Sequence, residues 1–155
     1  MARPMRRADR RLDDAAAMDL LKRGEYGILS TTDRNNQPYG IPVNYVVIDD
    51  ALYFHCASQG QKIENITANK GVSFCVVGKT ELIPEKFSTR YESVVVSGTA
   101  EVITDAALKR PALRALIAKY APDHTAAGEV YIDKLMDQTA VVKVSIEHLA
   151  GKARQ

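Results

Sequence analysis

The chain has 155 residues, with 46% hydrophobic and 26% charged positions and a formal net charge of +2. That length fits one domain able to bury a core without disulfides or metals, and the composition excludes a disordered chain. No apolar run approaches the ~20 residues of a membrane helix, and the basic N-terminus has no apolar segment behind it, so it does not read as a signal peptide.

Residues 1 to 12 read as a basic arm, with Arg3, Arg6, Arg7, Arg10 and Arg11 crowded together. Such an arm can bind nucleic acid or an anionic membrane. No further basic stripe or interleaved aromatic supports that use, so the reading favoured is a tail that packs on the body. Residues 13 to 155 form a single domain. Asp13 or Asp14 caps a helix to about Arg23, with Ala17, Leu20 and Leu21 on its apolar face and Gly24 as its stop.

The period then changes. Tyr26 to Thr32 reads as a strand, and Asp33-Arg34-Asn35-Asn36-Gln37 as a turn. From Tyr39 to Val47 the odd positions are apolar, which predicts one long period-2 strand. Asp49-Asp50 turns the chain into a strand over Leu52 to Cys56, making a hairpin. Ser58 to Lys62 is a polar loop, followed by a short helix from Ile63 to about Asn69. Val72 to Val77 is nearly all apolar and predicts a strand covered on both faces. Pro84 and its charged neighbours mark a longer connection. Ser93 to Ile103 is a second long strand, and its Gly98 points to a bend or a close backbone approach. Ala106 to Tyr120 predicts a helix weakened in its first turn by Pro111. A short helix over Glu129 to Met136 and a last strand over Thr139 to Ile146 complete the chain. Strands in mostly antiparallel succession suit a closed or partly closed β-barrel with peripheral helices. They do not suit a doubly wound sheet.

Ser58-Gln59-Gly60-Gln61-Lys62 follows a strand and opens a helix. Unpaired N–H groups there, with Lys62, the Ser58 hydroxyl and Gly60, form a plausible phosphate cradle. The segment is neither a P-loop nor a dinucleotide fingerprint, and an ordinary loop with a solvated lysine is the alternative. His55 enters that loop and could donate a hydrogen bond or move a proton, or be a hydrogen-bonded histidine of the fold. Cys56 points to the opposite face of the same strand, which argues against a Cys–His pair. Cys56 and Cys75 read as small hydrophobes, which with no disulfide framework implies a reducing, cytoplasmic setting. His124 and His148 have no metal-ligand spacing, so no metal site is expected.

Four stretches resemble one known family. They are Met5 to Arg10, Pro38 to Tyr45, Leu52 to Ala57 continuing through Gly60 to Ile63, and Tyr91 to Gly98. In this order they resemble the pyridoxamine 5′-phosphate oxidase-like flavoproteins, and within them the nitroimidazole-resistance branch, from about residue 5 to residue 146. The resemblance implies a mainly β, antiparallel split barrel that forms a homodimer with two FMN sites at its interface. It implies that Pro42, Val43 and Asn44 run along the isoalloxazine ring. It places His55, Ser58, Gly60, Gln61 and Lys62 along the ribityl chain and phosphate, and Ser93 on the partner's side. The oxidase itself has Arg where Gln61 stands, and a C-terminal segment with Trp and Arg; this chain has no Trp. Pyridoxamine phosphate is therefore not the expected substrate, and FMN binding is expected to be weaker for the lost charge-assisted hydrogen bond. The implied activity is an oxidoreductase of nitroreductase type acting on a small, planar, electron-poor molecule, with His55 as proton donor. The alternative is a flavin- or haem-binding carrier or sensor without turnover.

Overall fold

In the computed structural model, residues 4–155 are described. The first helix, α1 (Asp14–Arg23), begins where the Asp13 carboxylate accepts from the Ala16 N–H at 2.7 Å. It buries Ala17, Leu20 and Leu21, and ends at Gly24. β1 (Gly27–Thr32) and β2 (Pro38–Val43) form a hairpin. Asp33 builds its turn by accepting from the N–H groups of Asn35 and Gln37, both at 2.8 Å. β3 (Val46–Ile48) and β4 (Ala51–Ala57) form the next hairpin across Asp49, whose φ of 51° suits a tight turn. The remaining elements are α2 (Gln61–Ala68), β5 (Gly71–Ile83), β6 (Ser88–Ile103), α3 (Ala106–Tyr120), α4 (Thr125–Leu135) and β7 (Thr139–Arg154).

All seven strands join one antiparallel sheet in the order β2-β1-β5-β6-β7-β4-β3. Its two edge strands, β2 and β3, are consecutive in sequence and joined by Asn44 and Tyr45 alone. Three Cα steps span at most about 11 Å. The sheet must therefore curl until its edges nearly meet, although they do not pair. The result is a barrel with one split, as the resemblance implied.

The long strand expected over Tyr39 to Val47 is thus two strands belonging to opposite edges. The alternation runs unbroken through the break because Tyr45 also points inward and is fully buried. Three other strands run further than expected. β5 continues to Ile83 and β6 begins at Ser88, so the connection at Pro84 is a tight turn, with Phe87 in the left-handed region at φ 46°. β7 runs to Arg154, which takes the C-terminal tail and His148 into the sheet. α2 begins at Gln61, two residues before the expected Ile63, and α4 at Thr125, before Glu129. Pro111 sits on the exposed side of the second turn of α3, not the first, and the helix continues through it.

Two apolar cores result. Leu29, Leu52, Phe54, Phe74, Val76, Val94, Val96, Val142 and Val144 fill the barrel, with Tyr45 edge-on to Phe74 at 4.8 Å between centroids and α1 closing over them. Outside the sheet, Ala112, Leu113 and Leu116 of α3 pack with Ile132 of α4, Met136 and Val141. The buried Lys109 anchors this layer, donating to the carbonyls of Met136 and Thr139 at 2.6 and 2.8 Å. Covering β5 on both faces is not achieved within one chain. Val72, Phe74 and Val76 point inward, whereas Ser73 and Cys75 are half-buried and Val77 is exposed.

Over its described residues, from Pro4, the basic arm packs on the body. The Leu12 N–H donates to the Gly151 carbonyl at 3.0 Å and the Arg11 backbone forms an isolated antiparallel bridge with Lys152, while Arg7 pairs with Asp9 inside the arm. Residues 1 to 3 of that arm, including Arg3, lie outside the described residues. Among the described residues no helix is long and apolar enough to cross a membrane.

Gly98 meets its expectation. The β6–β7 register shifts beside it, and a Cβ there would collide with the Ser145 carbonyl oxygen. Gly98→Ala is expected to cost about 1–3 kcal/mol, because a backbone atom cannot rotate aside as a side chain would. A lowered urea midpoint at unchanged slope is the readout; an unchanged midpoint would refute the close approach.

Candidate functional site

The two chain segments singled out from the sequence converge at one end of β4. Leu52 and Phe54 of this strand point into the barrel, so Tyr53 and His55 point outward. Cys56 returns to the barrel side, packed against the inner core. The cysteine and histidine therefore face apart, as expected. Burial pushes the thiols of Cys56 and Cys75 above their ordinary range, which favours the protonated form of both.

β4 leads through Ser58, Gln59 and Gly60 into α2. Gly60 has φ 125°, a conformation that L-residues rarely adopt, and its Cβ position faces open space. Its carbonyl accepts from the N–H groups of Ile63 and Glu64 at 3.0 and 3.1 Å. The N–H groups of Gln61 and Lys62 have no acceptor among the described residues. They are the first two residues of α2, at the positive end of its dipole. Ser58, Gly60 and Gln61 are exposed there, and Lys62 is half-buried. Side chains tie α2 to the sheet: the buried Asn65 donates to Thr31 at 3.0 Å, and Asn69 to Thr32 at 2.7 Å. The open N–H groups, the glycine without a Cβ and the lysine fit a phosphate group.

His55 lies between this helix end and α3. Its imidazole is held below its ordinary pKa, first by partial burial and then by the nearby Lys62 ammonium. Both effects favour the neutral ring, able to donate from one nitrogen and accept at the other. Asn44, at the split, lines the same cavity as His55. Pro42, Val43 and Asn44 also border a shallow recess with Glu25 and Tyr26. Eight of the nine expected residues thus lie around the split and the β4–α2 junction. Ser93 does not. Its strand reaches the row of His55 through Val141 and Ile103, ten residues away, or about 33 Å along β6.

The clamp on the split is absent from the sequence reading. The Tyr120 hydroxyl, at the end of α3, accepts from the Tyr45 N–H at 2.9 Å and donates to the Glu25 carbonyl at 2.6 Å. Lys119 donates to the Tyr45 carbonyl at 2.9 Å and lies 4.0 Å from the centre of the Tyr45 ring. The Tyr45 hydroxyl donates to the Leu21 carbonyl. Burial pushes the Tyr45 phenol above its ordinary pKa and the Lys119 ammonium below it. The one available sequence signal was Leu113, Leu116, Ile117 and Tyr120, a stripe at helical spacing that must face something.

Residues 13–153 match the family model for pyridoxamine 5′-phosphate oxidase. A solved protein of Bacteroides thetaiotaomicron, assigned as a 5-nitroimidazole antibiotic resistance protein, is similar at 25% identity and a TM-score of 0.76, over 92% of this chain and 86% of that one. A flavocytochrome from Azotobacter vinelandii shares the fold at 22% identity and a TM-score of 0.81, over 98% and 72% of the two chains. An FAD- and haem-binding protein from Mycobacterium smegmatis does so at 21% identity and 0.80, over 92% and 72%. No curated protein sequence matches the chain.

Tyr120→Phe is expected to lower unfolding free energy by about 1–3 kcal/mol, because it strands the Tyr45 N–H without its acceptor. Urea unfolding measures this; unchanged stability would show that the clamp does not hold the split.

Proposed function

Because the chain belongs to the pyridoxamine 5′-phosphate oxidase family, we propose that it binds FMN and works as an oxidoreductase of nitroreductase type on a small, planar, electron-poor substrate. The observation that carries this reading is the convergence of Asn44, His55 and the open N-terminus of α2 at the split. When bound, the flavin supplies the redox chemistry. The chain's own residues supply the rest. Lys62 and the N–H groups of Gln61 and Lys62 hold the phosphate, and Gly60 keeps the approach open. With Gln61 in place of an arginine, Lys62 is the main cation. Pro42, Val43 and Asn44 lie along the ring edge, kept in place by the Tyr120 and Lys119 clamp. His55, the proposed proton donor, gives its proton from the imidazolium form, which its lowered pKa confines to the acid side of the ordinary histidine range.

Assembly belongs to the same proposal. The β5–β6 hairpin exposes Val77, Leu82, Val95 and Phe87, the last at 98%. A second copy seated there buries them and covers the open face of β5. Ser93 lies on that hairpin, remote from its own chain's site, so a homodimer offers it to the partner's flavin. A cytoplasmic location suits the two free cysteines.

A second reading, a flavin or haem carrier without turnover, takes its support from the flavocytochrome and the FAD- and haem-binding protein of the same fold. The visible spectrum of the purified chain separates flavin from haem, and chromatography of the released flavin separates FMN from FAD. Oxidised-flavin bands, with FMN preferred over FAD, support the proposal, and a haem Soret band supports the carrier. A colourless chain that takes up neither overturns both. Lys62→Gln is expected to weaken FMN binding by about 10- to 100-fold, the loss of one charge-assisted hydrogen bond of about 1.5–3 kcal/mol. Fluorescence titration of FMN checks it, and unchanged affinity would remove the phosphate assignment.

His55→Ala is expected to keep bound flavin yet slow nitroaromatic reduction by about 10²-fold or more. In the unaltered chain the rate should fall as pH rises through the lowered imidazole pKa, and the variant should lose that dependence. Equal rates and equal pH profiles would reject the proton-donor role.

A further inference from the structure

Where α3 and α4 cross the outer face of β4 and β7, they do not close on the sheet. Between them lies a cavity of about 200 Å³. Leu113, Leu116 and Ile117 of α3 and Ile132 and Leu135 of α4 form its walls, and the exposed Tyr131 also lines it. Its polar residues are Asn44, His55, Thr139, Tyr120 and Tyr131, and no Asp, Glu, Lys or Arg is among its lining residues. The side chain of Lys119, next to Tyr120 in sequence, donates to the Tyr45 carbonyl, and Lys62 acts on His55 from the α2 side.

We propose that this cavity binds one neutral aromatic ring, with a polar substituent directed to Asn44 and His55. Size and chemistry both select this class. An apolar cavity of about 150 Å³ holds one benzene molecule, so this one takes a single ring with a small substituent. Apolar walls with a few convergent polar groups are the general pattern of a small-molecule site. A carboxylate or an ammonium would exchange water for mostly apolar walls, with no charged side chain among the lining residues. The neutral imidazole of His55 can donate to the substituent or accept from it. That the ring is the electron-accepting part of a flavin substrate rests on the preceding section; that the cavity binds a ring does not.

Phenol is the probe, with benzoate as its charged counterpart. Calorimetry on the full chain, with and without FMN, should give one phenol site per chain and at least tenfold weaker binding of benzoate. In the unaltered chain, phenol should shift the methyl resonances of Leu113, Leu116, Ile132 and Leu135. Leu135→Trp and Ala121→Phe each put an aromatic side chain into the cavity or its rim. Either is expected to weaken phenol binding at least tenfold and to leave FMN affinity unchanged. Ala121 is half-exposed at the end of α3, so its variant keeps the test intact if Leu135→Trp fails to fold. Phenol binding without FMN binding would uphold the cavity and refute the flavin reading. Competition between phenol and FMN would assign the cavity to the flavin and overturn the proposal. So would equal binding of phenol and benzoate, or methyl resonances that do not move.

Discussion

The hydrogen bonds around Tyr45 set the geometry from which the rest of the molecule follows. Two residues join strands that lie at opposite edges of a seven-stranded sheet, so closure of the barrel depends on a very short bridge. A bridge of that kind cannot pair its backbone with either edge. Left in an apolar interior, its N–H and carbonyl would each carry the full cost of lost hydration. Tyr120 and Lys119 from α3 satisfy both groups, and the Tyr45 hydroxyl is satisfied in turn by α1. The ring fills the barrel against Phe74. One residue thus links two helices and both sheet edges, and its neighbour Asn44 is presented outward as a consequence.

A second tie fixes the other half of the site. α2 has only eight residues, too short to be stable alone. Asn65 and Asn69 bind it to the end of β1, and Ile66 anchors it in the barrel core. Its open N–H groups therefore have a fixed position relative to His55, which the preceding strand carries. Rigid elements on both sides of the split are what a site needs to hold a ligand in one orientation.

The legible parts of the sequence were those decided locally. The cap at Asp13, the Asp33 turn, the Asp49 hairpin and the stop at Gly24 use residues within a few positions of one another, and each formed as expected. Gly98 was legible because close packing in a strand leaves few other uses for glycine. The break at Asn44 was hidden, because an inward Tyr45 continues the alternation that a single strand would show. The outer halves of β5 and β6 were hidden for another reason. Thr80 and Glu81 carry no apolar pattern, and they are strand because Tyr91 and Arg90 of β6 complete the ladder. The clamp joins residues 75 positions apart, and no local signal encodes such a pairing. Among the expected site residues, those near β4 and the split could be brought together by one chain, whereas Ser93 could not.

The site also separates its chemistry in space. On the α2 side stand Lys62 and unpaired N–H groups, with polar and exposed surroundings; on the α3 side stand leucines and isoleucines without a charge. His55 lies at the boundary, and each side acts on its proton in the same sense. Removal from water disfavours the imidazolium, and the Lys62 charge disfavours it further. An anion seated at the α2 end would oppose the second effect by neutralising Lys62, and would leave the first in place. Occupation of the charged half thereby raises the proton affinity of a residue that faces the apolar half. The two halves are linked through His55 by electrostatics.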